Sequence, residues 1–346
     1  ILKPLVTEIQ VRPLTFTLLR ELSAEHFTSG AALAAKYGVS RSAISEALKD
    51  ASGLGVQIFS LTRRGYRLAE PLQLLDIDVI RQRMGTSQRR VDLRIVDVID
   101  STNTALLSQT NSGVASGITT TVPSGMCLAA ELQTAGRGRR GRVWQSALGA
   151  SLTFSLLWRF ESGAASLGGL SLAVGLAVAN ALRALGIDAE LKWPNDIVVD
   201  DQKLGGILIE TQGDMLGPTV AVIGIGLNVR LPESIRLAID QPVTDIATVS
   251  ADAAFASPAL NRNILLPAIL AQLVAVLDQF QRGGFGSLRD QWRVLHAHQG
   301  CWVDVNGATE SFVAKALDVS EDGALIVERD GARLRLTAAE ISIRHN

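Results

Sequence analysis

The sequence predicts a multidomain α+β protein: a small basic helical unit with a β wing, a central mixed α/β domain, and a short C-terminal β-barrel. Three observations predict this. The chain has 346 residues, more than one ordinary core accommodates. Its hydrophobic period changes from helical spacing, to mixed strands and helices, to short alternating strands after Gly300. Glu70-Pro71 punctuates the first change, so domains are expected at 1–69, 70–298 and 299–346.

Phe16 to Leu22 has helical spacing, and Ser29-Gly30 opens an alanine-rich second helix. Tyr37-Gly38-Val39 breaks it. Ser40 then caps a third helix through Leu48, with Ile44, Ala47 and Leu48 inward. Helix, glycine turn, helix is the helix-turn-helix pattern. It turns Arg41, Ser42 and Ser45 outward at the helix start, with Ser40 as cap, where base contacts come from. Val56 to Leu61 and Tyr66-Arg-Leu alternate as a two-stranded wing, with Arg63 and Arg64 at its tip. Residues 1–69 hold nine Lys and Arg against five Asp and Glu, while the whole chain carries −1. Local positive charge of this kind suits a phosphate backbone, so DNA is favoured over a protein-contact role. The glycines of Ser52-Gly53-Leu54-Gly55 are expected to weaken the junction between third helix and wing.

Composition, 47% hydrophobic and 19% charged, is globular. Cys127 and Cys301 are too far apart for a disulfide framework and fit a reducing cytoplasm. His296-x-His298 lacks a nearby cysteine or carboxylate partner and reads as polar surface at a helix end, with no metal site. Lys3, Glu8 and Arg12 interrupt any signal-like run. Ser162 to Leu182 lacks charge over 21 residues, but its glycines and serines favour a buried helix from about Leu170 over a membrane span.

In the central region, Val96 to Asp100 is a strand entering the turn Ser101-Thr102-Asn103-Thr104 and then a helix. Gly136-Arg-Gly-Arg-Arg-Gly-Arg142 follows. Five arginines and no acid lie between Leu132 and Phe160, so an anion is expected there. Glycine lets such a loop approach a ligand and adopt positive φ. A solvated basic loop is the bland alternative; Val143-Trp144 and the strand through Leu156 argue for order. Lys192-Trp-Pro-Asn-Asp and Lys203-Leu-Gly-Gly flank an expected hairpin, with Lys203 the better ligand contact because glycines clear space around it. Val220 to Val229 is an apolar strand whose Gly224 and Gly226 share one face, suited to a flat ligand; it lacks the third glycine and helix of a dinucleotide fingerprint. Residues 230–258 suit a mobile loop, and Ile264 to Phe280 an amphipathic helix. Turns at Asn306-Gly307, Asp322-Gly323 and Asp330-Gly331 complete a barrel of the SH3 type.

Taken in order, Ser101-Thr-Asn, Gly136-Arg-Gly-Arg-Arg-Gly, Lys192-Trp-Pro-Asn-Asp, Lys203-Leu-Gly-Gly and Gly224-Ile-Gly-Leu-Asn resemble the bacterial bifunctional biotin–protein ligase and biotin operon repressor family, from about Leu14 to Arg344. The resemblance implies a central domain of the biotin/lipoate ligase type. It implies an enzyme that joins biotin and ATP, with Mg²⁺, into biotinyl-5′-adenylate and passes biotin to a lysine of biotin carboxyl carrier protein of acetyl-CoA carboxylase. It further implies an adenylate-promoted homodimer on operator DNA, and no membrane partner. Lys203 and Arg137 would be catalytic. Ser101, Thr102, Asn103, Gln133, Arg137, Arg139, Lys203 and Gly206 would meet biotin. Arg139, Arg140, Arg142, Trp144, Asn195, Asp196, Gly206, Asn228, Glu340 and Arg344 would face the nucleotide. Residues 230–250 match that family only loosely. Rival readings are a ligase with a vestigial DNA-binding domain, a non-enzymatic anion-sensing regulator, and a lipoate–protein ligase; the Gly/Arg loop with Lys203 argues against the second, and the lipoate branch is not expected to carry this Gly/Arg sequence.

Overall fold

A computed structural model describes residues 11–115, 123–250, 258–307, 310–337 and 340–343. The N-terminal unit contains α1 (Pro13–Leu19), α2 (Gly30–Tyr37), α3 (Arg41–Gly53), β1 (Ile58–Leu61) and β2 (Gly65–Leu68). Ser29 and Ser40 cap α2 and α3 through the N–H groups of Ala32 and Ala43. Gly38 ends α2 in the left-handed conformation, at φ 65°. The third helix runs past Leu48 to Gly53, because Ala51 is fully buried against the same core. The Ser52–Gly55 stretch therefore carries the last turn of α3 as well as the junction.

The central unit is a seven-stranded mixed sheet. After α4 (Ile77–Arg83) come β3 (Asp92–Ile99), α5 (Thr102–Ala115), β4 (Met126–Gln133) and β5 (Ser151–Phe160). Then follow α6 (Leu170–Ala184), β6 (Glu190–Lys192), β7 (Asp196–Val199), β8 (Gln202–Gly213) and β9 (Thr219–Asn228). The spatial order is β3-β4-β5-β9-β8-β7-β6; only β3 and β4 are parallel. Residues 233–238 and 246–249 form short helices α7 and α8, so 230–250 is more structured than a mobile loop; 251–257 lie outside the described residues. Then come α9 (Arg262–Gly283) and α10 (Arg289–Val294).

The two faces of this sheet are covered differently. On one, α6 and α9 share the large apolar core with Phe154, Leu156 and Ile223. The charge-free stretch is a buried core helix only from Leu170, and α9, though long and apolar enough to span a bilayer, lies largely within the same core. On the other face, α5 packs through Leu106 on Leu128, Leu157 and Val222.

The C-terminal sheet comprises β10 (Trp302–Asn306), β11 (Ser311–Val319), β12 (Leu325–Arg329), β13 (Ala332–Leu336) and β14 (Glu340–Ile343), in the order β13-β12-β11-β10-β14. This is the small antiparallel sheet expected of an SH3-like barrel. It is tied to the centre by the Trp193 indole N–H, which donates to Gly323 O at 2.9 Å, and by Arg289 and Arg293 on Asp318. His296 and His298 depart from expectation. Both are buried, 5% and 2% exposed: His296 packs on the Trp292 ring and bridges to Leu191, and His298 Nε2 lies 3.3 Å from Asp201 Oδ1, a carboxylate partner the sequence does not reveal.

Candidate functional site

Alternation along three neighbouring strands carves the site. Ser155 on β5, Gly224 on β9 and Leu208 on β8 lie in one cross-strand row; Thr153, Gly226 and Gly206 form the next. Side chains two apart share a face. This face therefore lacks bulk over four neighbouring positions, Ser155, Gly224, Gly226 and Gly206. The hollow opens into a cavity of about 700 Å³ under the Gly/Arg loop, within the usual range for small-molecule sites.

Ser101, Thr102, Asn103 and Gln133 line its floor. The Thr102 N–H donates to Gln133 Oε1 at 2.8 Å. Ser155 Oγ gives its one proton to Asn103 Oδ1 at 2.5 Å, so Thr102 supplies the proton of the 2.6 Å Thr102–Ser155 contact. Asn103 Nδ2 donates to Glu210 Oε2 at 3.0 Å.

The loop closes one side. Its base is a short antiparallel bridge between Arg137 and Val143, with Gly138 N–H donating to Arg142 O at 2.7 Å. Arg140 and Gly141 both take left-handed backbone, φ 55° and 74°, which reverses the chain. Arg137, Arg139 and Arg142 line the cavity; Arg140 is exposed and does not. Arg139 donates to Asn195 Oδ1 at 2.7 Å. The face of Gly226 suits a flat group, but here that group is the Trp144 indole: a Cβ on Gly226 would stand 2.5 Å from its ring. The Trp144 N–H is buried and has no hydrogen-bond partner among the described residues.

The opposite side carries Lys203. The β7–β8 register runs Asp196↔Gly206 and Ile197↔Gly205, then Val198↔Lys203, so Leu204 is an extra residue. This β-bulge turns Lys203 to the face of Asp196 and Gly206, where plain alternation would point it away. Its Nζ sits 2.8 Å from Asp196 Oδ1, both side chains under a fifth exposed. The Lys203 backbone binds Pro242 O and Thr244 N, and Asn228 Nδ2 donates to Thr244 O at 3.0 Å. Thus the segment 239–243, which the sequence reading leaves unassigned, forms the remaining wall. The barrel reaches the rim: Asn306 lines the cavity and pairs with Glu340 across β10 and β14. Arg344 lies outside the described residues.

One cavity thus gathers three arginines and two lysines, Lys192 and Lys203, over a polar floor. Residues 95–228 match the Biotin/lipoate A/B protein ligase family and residues 15–67 an HTH domain. The bifunctional ligase/repressor BirA of Salmonella typhimurium is 34% identical over 95% of this chain and 97% of its own. This chain belongs to the bifunctional biotin ligase/repressor family. The Escherichia coli relative of the same description is 33% identical over 94% and 96%. The biotin protein ligase from Aquifex aeolicus in complex with biotin and ATP superposes with a TM-score of 0.59, at 26% identity, over 74% of this chain and 99% of that one.

The N-terminal unit, matched as an HTH domain, holds the residues expected to contact DNA. Arg41, Ser42, Arg63 and Arg64 are exposed and Ser45 half-buried; Ser40 Oγ lies 2.7 Å from Ser42 Oγ. The Arg64 guanidinium stacks 4.9 Å from the Phe27 ring, which braces the wing. Arg20 pairs with Asp97 on β3 at 2.6 Å, and Leu132 and Leu148 join the unit's apolar core.

Sequence reasoning overlooked Ser155, Glu210 and the Leu204 bulge. Ser155 leaves one faint signal, a hydroxyl inside an apolar strand; the bulge leaves none in local pattern.

Proposed function

We propose that this chain condenses biotin with MgATP to biotinyl-5′-adenylate, transfers the biotinyl group to a lysine of the carrier protein of acetyl-CoA carboxylase, and binds operator DNA as an adenylate-promoted dimer. Domains 1–69, 70–298 and 299–346 would bind DNA, catalyse, and cover the nucleotide side. The observation that carries the reading is the convergence of Lys203, Arg137 and Arg139 on one cavity whose floor is the Ser101–Asn103 turn.

In the first step a biotin carboxylate oxygen attacks the α-phosphorus and pyrophosphate leaves. Two like charges 4 Å apart repel by about 4 kcal/mol at an effective dielectric of ~20. Lys203, held by Asp196, and the loop arginines offset that repulsion and the charge that grows on the phosphorus oxygens. Mg²⁺ enters with the nucleotide and neutralises phosphate charge. In the second step the carrier lysine, as free amine, attacks the acyl carbon; AMP leaves and the new amide loses a proton. Neither step needs a protein nucleophile. Asn195, Asp196, Asn228, Arg142 and Trp144 lie where the nucleotide would rest, and a cytoplasmic location suits these partners.

The test is one incubation of protein, biotin, MgATP and an acceptor carrier domain, read by intact mass. The carrier should gain one biotinyl group; no gain sinks the enzymatic reading. Lys203→Ala should slow pyrophosphate release roughly 100-fold or more. In a parallel gel shift, operator-like DNA should bind more tightly with biotin and MgATP present and less tightly as salt rises. Binding that ignores both ligands counts against the repressor role.

A further inference from the structure

Glu210 sets a carboxylate against Arg137 and Asn103, two residues that line the cavity proposed to hold an anion. Coulomb's law opposes that placement unless the charge is spent on something else. Its contacts say on what. Oε1 lies 2.8 Å from one Arg137 guanidinium nitrogen and Oε2 3.1 Å from the other, a paired, planar engagement. Oε2 also accepts from Asn103 Nδ2 at 3.0 Å. Arg137 reaches Thr104 Oγ1 as well, at 3.4 Å.

We propose that Glu210 is a positioning residue that latches the Gly/Arg loop to the biotin-pocket floor, through Arg137 on one side and Asn103 on the other. Arg137 stands at the base of the loop, bridged to Val143, so fixing it fixes the turn that carries Arg139 and Arg142. Asn103 is 3% exposed and has little freedom: a Cβ on the facing Gly224 would stand 2.3 Å from its Oδ1. One hydrogen-bonded chain therefore runs Gln133–Thr102–Ser155–Asn103–Glu210–Arg137, from floor to lid. In this arrangement Arg137, besides adding charge to the cavity, holds the loop that carries Arg139 and Arg142. The inference rests on the adenylate reading above, but the latch itself exists without ligand.

The test uses Glu210→Gln in the full chain, which keeps the shape and removes the charge. Adenylate formed in the site should leave about tenfold faster, a 1.4 kcal/mol effect, while the rate of biotin association does not fall. The Glu210→Gln/Arg137→Gln double variant should release adenylate no faster than Arg137→Gln alone, because both changes break one contact. An unchanged release rate, or additive effects in the double variant, overturns the latch. A ligand-free arm separates this from failure of the adenylate reading. Trypsin should cut at residues 137–142 faster in Glu210→Gln than in wild type, and equal cutting overturns the latch even if no adenylate is ever made. If Glu210→Gln does not fold, Arg137→Gln carries the same release and trypsin readouts.

Discussion

Two arginine–carboxylate pairs in this molecule have nearly the same closest approach and opposite surroundings. Arg262 meets Glu131 at 2.7 Å with side chains 1% and 0% exposed; Arg137 meets Glu210 at 2.8 Å with side chains 47% and 22% exposed. The first is built into the structure. Glu131 accepts the Leu75 N–H, and Arg262 donates to Gln73 O and Ser151 O. With Asn263 on Leu74 O, the pair straps residues 73–75, the path from the winged helix, to β4 and the start of β5. The second can be solvated on release, so it can open and close. Burial, not the pairing chemistry, decides which salt bridge is a bolt and which is a latch.

This contrast can be broken by experiment. Arg262→Ala leaves the Glu131 charge buried and unpaired, so it should cost about 3–5 kcal/mol in urea unfolding; a loss under about 1 kcal/mol would put both pairs in one class. The next effect concerns a buried histidine. Burial, then the nearby Lys192 charge, pushes the His298 pKa down to about 4, against the opposing pull of Asp201. The folded state keeps this ring neutral, while the unfolded chain protonates it below about pH 6.5. Stability is therefore whole above that pH and is lost as pH falls toward 4, by on the order of 3 kcal/mol. His298→Phe should flatten the fall of Tm across that window. His296, its pKa lowered mainly by burial, adds a loss of the same sign that the variant leaves in place. An equal acid slope in both proteins would refute the assignment. The smallest effect is Arg137→Ala: under about 1 kcal/mol of stability, because the pair is half in water, yet a clear leak of adenylate measured by its dissociation rate. Large destabilisation by this variant would erase the distinction.

Much of the fold was legible because its signals are local. Ser29 and Ser40 announce helix starts by a hydrogen bond spanning three residues, and the wing, the barrel turns and α6 from Leu170 follow from period and turn chemistry. The residues of the cavity were legible as motifs: the Ser101 turn, the Gly/Arg loop and Lys203 do converge. The misses share one cause, dependence on partners far away in the chain. Glu131 and Arg262 are 131 residues apart, and neither shows in sequence that it will be buried. The two histidines read as surface until Leu191 and Asp201, far earlier in the chain, meet them. Segment 239–243 has no motif; it becomes a wall because Val243 bridges to Lys203.

The sequence by itself determined which chemistry is available: arginines on a glycine-rich loop, a lysine beside two glycines, a polar turn at a helix start, and a basic helical unit ahead of them. Those depend on residue type and short spacing. Tertiary structure alone decided direction. Lys203 faces the cavity because one unpaired residue, Leu204, shifts the register of β8 against β7. Arg137 faces Glu210 because strand alternation sets that carboxylate two rows above Gly206. A side chain's identity travels with its codon, but the face it occupies depends on pairing between strands, and a slip of one residue reverses it.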